Sequence, residues 1–276
     1  MHYKRVMFSD YQAKYINTGK FWGLGEHLKA YTGIEDLKGF NGIGTWSQYI
    51  IVPIANVLKI DSEPQVSDAG LGSVFWTGLL SPSILFEVEE GSIVAVFGSN
   101  SLGLTLVYSL KNKNVSKIVV VGYENDKEFF ESLGVTYILD EGQAADIKTK
   151  LLQESDDGYD YTFEASNFTR FGSIALEVWH KGWGKCALLT RGANKDDTIK
   201  TKPFQLVTGR HWVGSYMGNV NISKHHEELL KSYKDHSEEL GNLIFPTDNI
   251  VSIDDFPFKW EDLSKTSSYH RTIIEF

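Results

Sequence analysis

From about residue 92 the chain alternates short, wholly apolar runs with longer stretches in which apolar residues recur every three or four positions. The apolar runs predict buried strands, over residues 92–98, 117–123, 135–139, 159–165 and 185–190. The stretches between them predict amphipathic helices, over residues 102–114, 125–134, 144–155 and 168–182. Strands that are apolar throughout and separated by helices are typical of a parallel sheet covered on both faces, so the pattern predicts a doubly wound α/β fold.

The pattern is less regular on either side of this block. Two short strands are predicted at 44–53 and 56–60, and residues 70–86 carry a helix-like apolar face that Pro82 is expected to interrupt. Beyond the block the sequence predicts a strand-like segment, a polar helix and a closing strand, at residues 205–219, 225–241 and 271–276. Residues 1–43 show weak periodicity and predict no element.

The composition is that of an ordinary globular protein and excludes several classes. The formal net charge of −9 argues against a nucleic-acid partner. No run approaches the ~18 consecutive apolar residues that predict a membrane span. A single cysteine, Cys186, excludes an internal disulfide and a cysteine-rich zinc site, and its apolar surroundings predict an inert core thiol. Residues 1–20 lack the apolar core of a secretory signal, so the cytoplasm is the expected compartment, with the mitochondrion as the alternative.

The turn Gly98-Ser-Asn-Ser-Leu-Gly103 follows the first predicted strand of the block and has the outline of a dinucleotide-binding turn. In such turns the first glycine makes the sharp bend, the second lets a pyrophosphate approach the backbone, and the third lets the helix pack closely on the strand. Gly98 and Gly103 keep the first and third roles. Asn100 stands where the second glycine belongs, and the asparagine is expected to keep the turn through its tolerance of positive φ while obstructing the phosphates.

Gly122 is a second position that affects which nucleotide the sheet could bind. A carboxylate at the end of the next strand would bind the ribose of NAD, but Gly122 stands there. A glycine leaves room for the 2′-phosphate of NADP, which Lys127 could help to bind and Glu124 would repel. Two interpretations stay open at this point, a sheet that folds without a cofactor and one that binds NAD(P) weakly.

Other candidate groups carry less chemistry. Glu164 and Asp160 lie near a strand end but have no nucleophile beside them, so no catalytic residue is assigned. His225, His226 and His236 fall on a polar, charged helix and are interpreted as surface histidines rather than metal ligands.

Four ordered segments resemble the zinc-dependent medium-chain alcohol dehydrogenases, and most of all their class III, glutathione-dependent formaldehyde dehydrogenase branch. TKPFQLVTGRHWVGS at 201–215 is similar to the branch's T-R-P-F-x-L-V-T-G-R-x-W-x-G. GTWSQY at 44–49 resembles G-T-F-S-E-Y, and DYTFEASN at 160–167 resembles D-Y-S-F-E-C-x-G-N. The C-terminal HRTIIEF resembles I-R-T-x-x-x-F. The resemblance covers residues 44–276 and implies a Rossmann sheet with a GroES-like β domain.

The resemblance also implies how far the family's site is kept. Most of the GroES-like domain is expected to lack a counterpart here. Two of the catalytic zinc ligands and the structural zinc loop belong to that domain, so they are expected to be absent as well. Ser73 stands where the family has the remaining cysteine ligand, so no zinc is expected. Arg271 matches an arginine that contacts the pyrophosphate, Lys127 a lysine near the ribose, and Thr77 a threonine beside the nicotinamide. The expected division is 1–86 as an N-terminal segment and GroES-like remnant, 87–220 as the Rossmann-like domain, and 221–276 as a helix and strand that return to the remnant.

The segment 206–219 matches the edge strand through which the family's Rossmann domains pair. Trp212, Val213 and Tyr216 are therefore predicted interface anchors of a homodimer or a larger assembly, with burial in the chain's own core as the alternative. The leading hypothesis is a catalytically inactive relative with a structural or protein-interaction role. The alternative is a zinc-independent NAD(P)H-dependent oxidoreductase of small alcohols or aldehydes.

Overall fold

The computed structural model describes residues 59, 68–156, 158–190, 192, 196–215, 217–221, 224–245, 250–263 and 268–275. The strands predicted at 44–53 and 56–60 lie outside these residues, Lys59 apart. Within the described part, no helix is long and apolar enough to cross a membrane.

A six-stranded parallel sheet forms the body of the chain. Its strands run in the order β3-β2-β1-β4-β5-β6, and every neighbouring pair is parallel. They are β1 (Ile93–Phe97), β2 (Lys117–Gly122), β3 (Thr136–Leu139), β4 (Tyr161–Glu164), β5 (Lys185–Leu188) and β6 (His211–Gly214). The predicted doubly wound sheet is confirmed, and the first five strands fall within the predicted runs.

Helices connect and flank the strands. They are α1 (Asp68–Ile84), α2 (Ser101–Lys111), α3 (Lys127–Ser132), α4 (Ala144–Gln153), α5 (Thr169–Glu177), α6 (Pro203–Val207), α7 (His226–Ile244) and α8 (Phe256–Leu263). Single 3₁₀ turns occur at Glu124–Asp126 and Met217–Asn219. Pro82 does not interrupt α1, because it falls in the last turn, where its missing N–H removes only one helical hydrogen bond.

The segment 205–219 differs from its prediction as one strand-like stretch. Pro203 opens α6, a short helix, since its fixed φ suits the first helical position. Gly209 then takes φ +89°, and only residues 211–214 form a strand. The polar helix predicted at 225–241 is present as α7.

The core lies on both faces of the sheet because successive strand residues point to opposite sides. In β1, Val94 and Val96 belong to the cluster that packs under α1, α2 and α7, whereas Ala95 and Phe97 belong to the cluster under α4 and α5. All four side chains have no exposed surface. Burial on both faces is the physical reason that this strand reads as a continuous apolar run.

A second, two-stranded parallel sheet lies near the C-terminus. It pairs β7 (Ile250–Ser252) with β8 (Ile273–Glu275), so the closing strand predicted at 271–276 is present in shorter form. The amide of Arg271 donates to the carbonyl of Ile244 at 2.9 Å, which joins this strand's approach to the end of α7. The division into three segments stays a prediction.

Candidate functional site

The turn 98–103 lies at the carboxyl end of β1, at the point where the strand order reverses between β1 and β4. Doubly wound sheets bind their ligands in the crevice at this point, because the loops leave in opposite directions from neighbouring strands. The turn that the sequence singled out therefore occupies the expected place for a site.

Gly98 and Gly103 sit where only glycine fits. Gly98 adopts φ +120°, and a Cβ there would lie 3.0 Å from the carbonyl carbon of Ala165. A Cβ on Gly103 would lie 1.9 Å from the carbonyl oxygen of Gly98, so α2 can approach β1 only because that atom is absent. These are the two roles that the sequence assigned to them.

Asn100 is the N-cap of α2, and its side chain makes three hydrogen bonds. Its Oδ1 accepts hydrogen bonds from the backbone amides of Leu102 at 3.0 Å and Gly103 at 3.1 Å. Its Nδ2 donates to the carbonyl of Ala165 at 2.7 Å. The backbone has φ −77° and ψ −178°, so the expected positive φ does not occur, because an N-cap residue takes extended angles.

The Asn100 cap occupies backbone amides that a phosphate would bind at this helix N-terminus. A phosphate binds at a helix N-terminus because free N–H groups point at it and the helix dipole favours negative charge. Here the amides of Leu102 and Gly103 already donate to the side-chain Oδ1 of Asn100.

The space beside Gly122 is occupied rather than open. A Cβ on this glycine would lie 2.2 Å from the hydroxyl of Tyr137 and 2.4 Å from Cβ of Ser99. The Tyr137 hydroxyl donates to the carbonyl of Tyr123 at 2.7 Å, which holds it there. The room that the glycine was expected to leave for a 2′-phosphate is therefore filled by side chains of this chain.

Arg271, Lys127 and Thr77 are the remaining residues that the resemblance singled out. Arg271 reaches the turn, since its Nε donates to Oγ of Ser101 at 3.0 Å, and burial lowers the pKa of its guanidinium. Lys127 begins α3 and is half-buried. Thr77 is buried in α1, where its carbonyl accepts from the Ser81 hydroxyl.

Sequence reasoning missed Asp126, which is 1% exposed. Its Oδ2 lies 2.5 Å from the hydroxyls of Ser99 and Ser268, and its Oδ1 accepts from the amide of Ser268 at 3.2 Å. The carboxylate thus joins the turn after β1, the segment after β2 and the C-terminal segment. Asp126 and Ser268 are 142 positions apart in the chain, which explains why no local pattern signalled the contact.

Glu164 and Asp160 lie at opposite ends of β4 and do not form a pair. Glu164 is at the carboxyl end, where it accepts from the amide and hydroxyl of Ser166 and from the hydroxyl of Thr190. Burial raises the pKa of its carboxyl. Asp160 precedes the strand and accepts from the amide of Ile93 at 2.9 Å. The arrangement holds loops together and offers no acid–base pair.

Metal ligation is not apparent in the described part of the chain, which contains no group of three or more His, Cys, Asp or Glu side chains placed to hold an ion. The side chain at Ser73 lies outside the described residues. His236 contacts the hydroxyl of Tyr108 at 3.1 Å, and Nδ1 of His225 lies 3.0 Å from the amide of Asn221. Burial raises the pKa of the Cys186 thiol to about 12, in keeping with a core thiol.

The edge strand β6 pairs with β5 alone among the described strands. Trp212 and Val213 are half-buried and pack against the two opposite core clusters, and Tyr216 lies outside the described residues. Two strongly exposed apolar side chains belong to α6, which precedes β6 in the chain: Phe204 is 71% and Val207 is 77% exposed. The sequence named the strand but missed these two residues, because exposure cannot be read from a short apolar run.

Known proteins match this chain in sequence and in fold. A family model described as zinc-binding dehydrogenase matches residues 101–234. The S-(hydroxymethyl)glutathione dehydrogenase of Saccharomyces cerevisiae is 34% identical over 206 residues, which make up 72% of this chain and 53% of that protein. The alcohol dehydrogenase class-3 of Oryza sativa is 30% identical over 217 residues, or 78% of this chain and 57% of that protein.

A solved structure, the benzyl alcohol dehydrogenase of Acinetobacter calcoaceticus, superposes with a TM-score of 0.72 at 18% identity. The superposition covers 86% of this chain and 64% of that one, and at this identity it shows the fold alone. The chain spans a little over half the length of the curated relatives it matches. By these matches and its sheet topology, the chain belongs to the zinc-dependent medium-chain alcohol dehydrogenase family and resembles its class III branch.

Proposed function

We propose that this chain is a catalytically inactive member of its family, whose Rossmann sheet serves as a protein-interaction module that associates through the β6 edge. The observation that carries the proposal is the Asn100 cap, since it consumes the amides of Leu102 and Gly103 that a pyrophosphate would need. As arranged, the turn does not fit a dinucleotide phosphate, so no reaction step is assigned to a cofactor.

The zinc chemistry of the family also lacks support in this sequence. Ser73 aligns with the cysteine ligand that precedes the Rossmann strand, and a neutral hydroxyl is a poor substitute for a thiolate on zinc. Hydride transfer to or from an alcohol without a polarising metal would need another electrophile at the reacting oxygen. No residue of the described crevice is assigned that role.

Support for the interaction role comes from β6, which pairs on one side alone among the described strands. A β-strand edge presents unpaired backbone N–H and C=O groups, which another chain can pair with. In α6, which directly precedes β6 in the chain, the exposed Phe204 and Val207 add apolar surface of the kind that recurs at interface cores. A second copy of this chain is the partner we propose, because two equivalent edges can pair about a two-fold axis.

Sedimentation of the purified chain, with a turnover assay beside it, tests this function. We expect a dimer that Val207→Asp converts to a monomer, because a carboxylate would be buried against an apolar partner surface. Leu152→Asp is the matched control, since Leu152 is 43% exposed on α4, beside the opposite half of the sheet. No NADH or NADPH oxidation with small aldehydes is expected. A monomeric wild type, or turnover, would contradict the proposal.

One observation favours the alternative, a zinc-independent NAD(P)H-dependent oxidoreductase. Arg271 reaches the turn, where a permanently charged, forked donor would suit a pyrophosphate. If this alternative is correct, wild-type protein binds NADPH and Arg271→Ala weakens that binding at least about tenfold, or ~1.4 kcal/mol. Unchanged binding in the variant would refute it.

A further inference from the structure

The crevice above the carboxyl end of β1 is bridged by two aromatic side chains. Tyr123 follows β2 and Phe168 follows β4, the two strands that flank β1. Their rings meet edge to face with centroids 6.3 Å apart. Because neighbouring strands lie about 4.8 Å apart, a contact between loops of β2 and β4 must cross the mouth above β1.

A half-buried ion pair, between Arg170 and Asp140, holds one side of this bridge. The guanidinium of Arg170 lies 4.7 Å from the Phe168 ring centroid and 4.8 Å from that of Phe171. It also pairs with the carboxylate of Asp140, whose side chain is only 3% exposed and which directly follows β3. Phe168 is thereby fixed between a cation and its neighbouring rings, and its position over the crevice is part of a packed cluster.

Below these two rings, side chains of this protein lie where the phosphates and the ribose of a dinucleotide would bind. The Asn100 side chain accepts hydrogen bonds from the helix amides of Leu102 and Gly103. Ser99 and the Tyr137 hydroxyl occupy the space beside Gly122, at the end of β2 where a ribose would bind. Ser99 also donates to Asp126 at 2.5 Å, so it is held by a buried carboxylate.

Asp126 joins separate segments of the chain around this crevice. It binds Ser99 of the turn and Ser268 of the C-terminal segment. Hydrogen bonds to a buried carboxylate are charge-assisted and stronger than neutral ones. The C-terminal segment is therefore tied to the turn by side chains of this protein.

We infer that five side chains permanently occupy the dinucleotide crevice and form what we call the plug. They are those of Ser99, Asn100, Tyr123, Tyr137 and Phe168. The inference deepens the proposed function, because it gives the physical reason for the inactivity at the same site. The plug excludes NAD(P) by occupation, and removing its side chains opens the crevice.

Equilibrium titration of NADH and NADPH, followed by nucleotide fluorescence, tests the plug. The wild type is expected to show no saturable binding up to about 1 mM nucleotide. The double variant Asn100→Gly/Phe168→Ala frees the helix amides and removes one of the two bridging rings. It is therefore expected to bind nucleotide with a Kd at least about tenfold below that 1 mM limit. The control Asn125→Ala/Phe258→Ala changes the same residue types at exposed positions and should behave as the wild type.

Saturable binding by the wild type would overturn the plug, and so would a folded double variant that gains no affinity. If the double variant does not fold, amide NMR of the wild type decides. Signals of Leu102 and Gly103 that are protected and unmoved by ~5 mM ADP support the plug, whereas shifts on ADP addition overturn it. Nucleotide binding without turnover would refute the plug and leave the proposed inactivity standing, and turnover by the wild type would refute both.

Discussion

Replacing Asn100 by alanine removes three hydrogen bonds at once. Two of them satisfy free amides in the first turn of α2, those of Leu102 and Gly103, and the third joins the turn to Ala165 after β4. The variant leaves two amides of a buried helix terminus without their acceptor. It also leaves the Ala165 carbonyl without its donor.

The magnitude follows from the two kinds of bond. Loss of an asparagine N-cap lowers the free energy of unfolding by about 0.5–2 kcal/mol. Loss of the bond to Ala165 adds about 0.5–1.5 kcal/mol, the usual net contribution of a hydrogen bond. We therefore expect Asn100→Ala to lower the free energy of unfolding by about 1–3.5 kcal/mol.

Urea unfolding measures the effect, with helical circular dichroism and tryptophan fluorescence recorded on the same samples. Asn100→Ser keeps a capping oxygen but does not reach Ala165, so it should lie between wild type and Asn100→Ala. Asn125→Ala is the matched control, an exposed asparagine on the turn after β2, and should change the free energy by less than about 0.5 kcal/mol.

Two outcomes would refute the reasoning. If Asn100→Ala unfolds at the same urea concentration as Asn125→Ala, the cap contributes nothing measurable. If Asn100→Ser is as unstable as Asn100→Ala, the stabilisation comes from the contact with Ala165 and the helix amides are not held by the cap.

Further predictions concern packing, pH dependence and the buried carboxylate. Gly103→Ala places a methyl 1.9 Å from the Gly98 oxygen and should cost at least about 2 kcal/mol in a urea titration, whereas Gly214→Ala, which meets nothing within 4 Å, should cost less than about 0.5 kcal/mol. Burial raises the pKa of Glu164 above its ordinary 4.5, so the stabilising contribution of its protonated form is lost as the pH rises through the raised pKa. The stability of wild type relative to Glu164→Gln should thus fall across that range, and a pH-independent difference would contradict this. Asp126→Ala should lower the free energy of unfolding by about 2–4 kcal/mol, measured the same way, because buried hydroxyls lose a charged acceptor.

The parallel sheet was predictable because its strands are buried on both faces. The run at 92–98 contains β1, and Val94 to Phe97 are wholly buried, so hydrophobicity alone marked the strand. The short elements were not predictable in the same way. β7 has three residues and, among the described strands, pairs with β8 alone, about twenty residues further along the chain.

The segment 205–219 shows the same limit. Val207 is apolar and lies in a stretch rich in β-branched and aromatic residues, yet it belongs to a helical turn and is 77% exposed. Trp212 belongs to the strand and is half-buried. A pattern of apolar residues does not distinguish a core strand from an exposed helical turn over so few positions.

The sequence by itself determined the sheet, the position of the turn and the replacement of its middle glycine by Asn100. These features depend on local spacing, since an N-cap side chain reaches the amides two and three positions ahead whatever the rest of the fold does. Only the tertiary structure decided that Tyr137 fills the space beside Gly122 and that Asp126 binds Ser268. Those contacts join strands and segments that are distant in the chain, so they exist only once the strand order has brought them to one edge of the sheet.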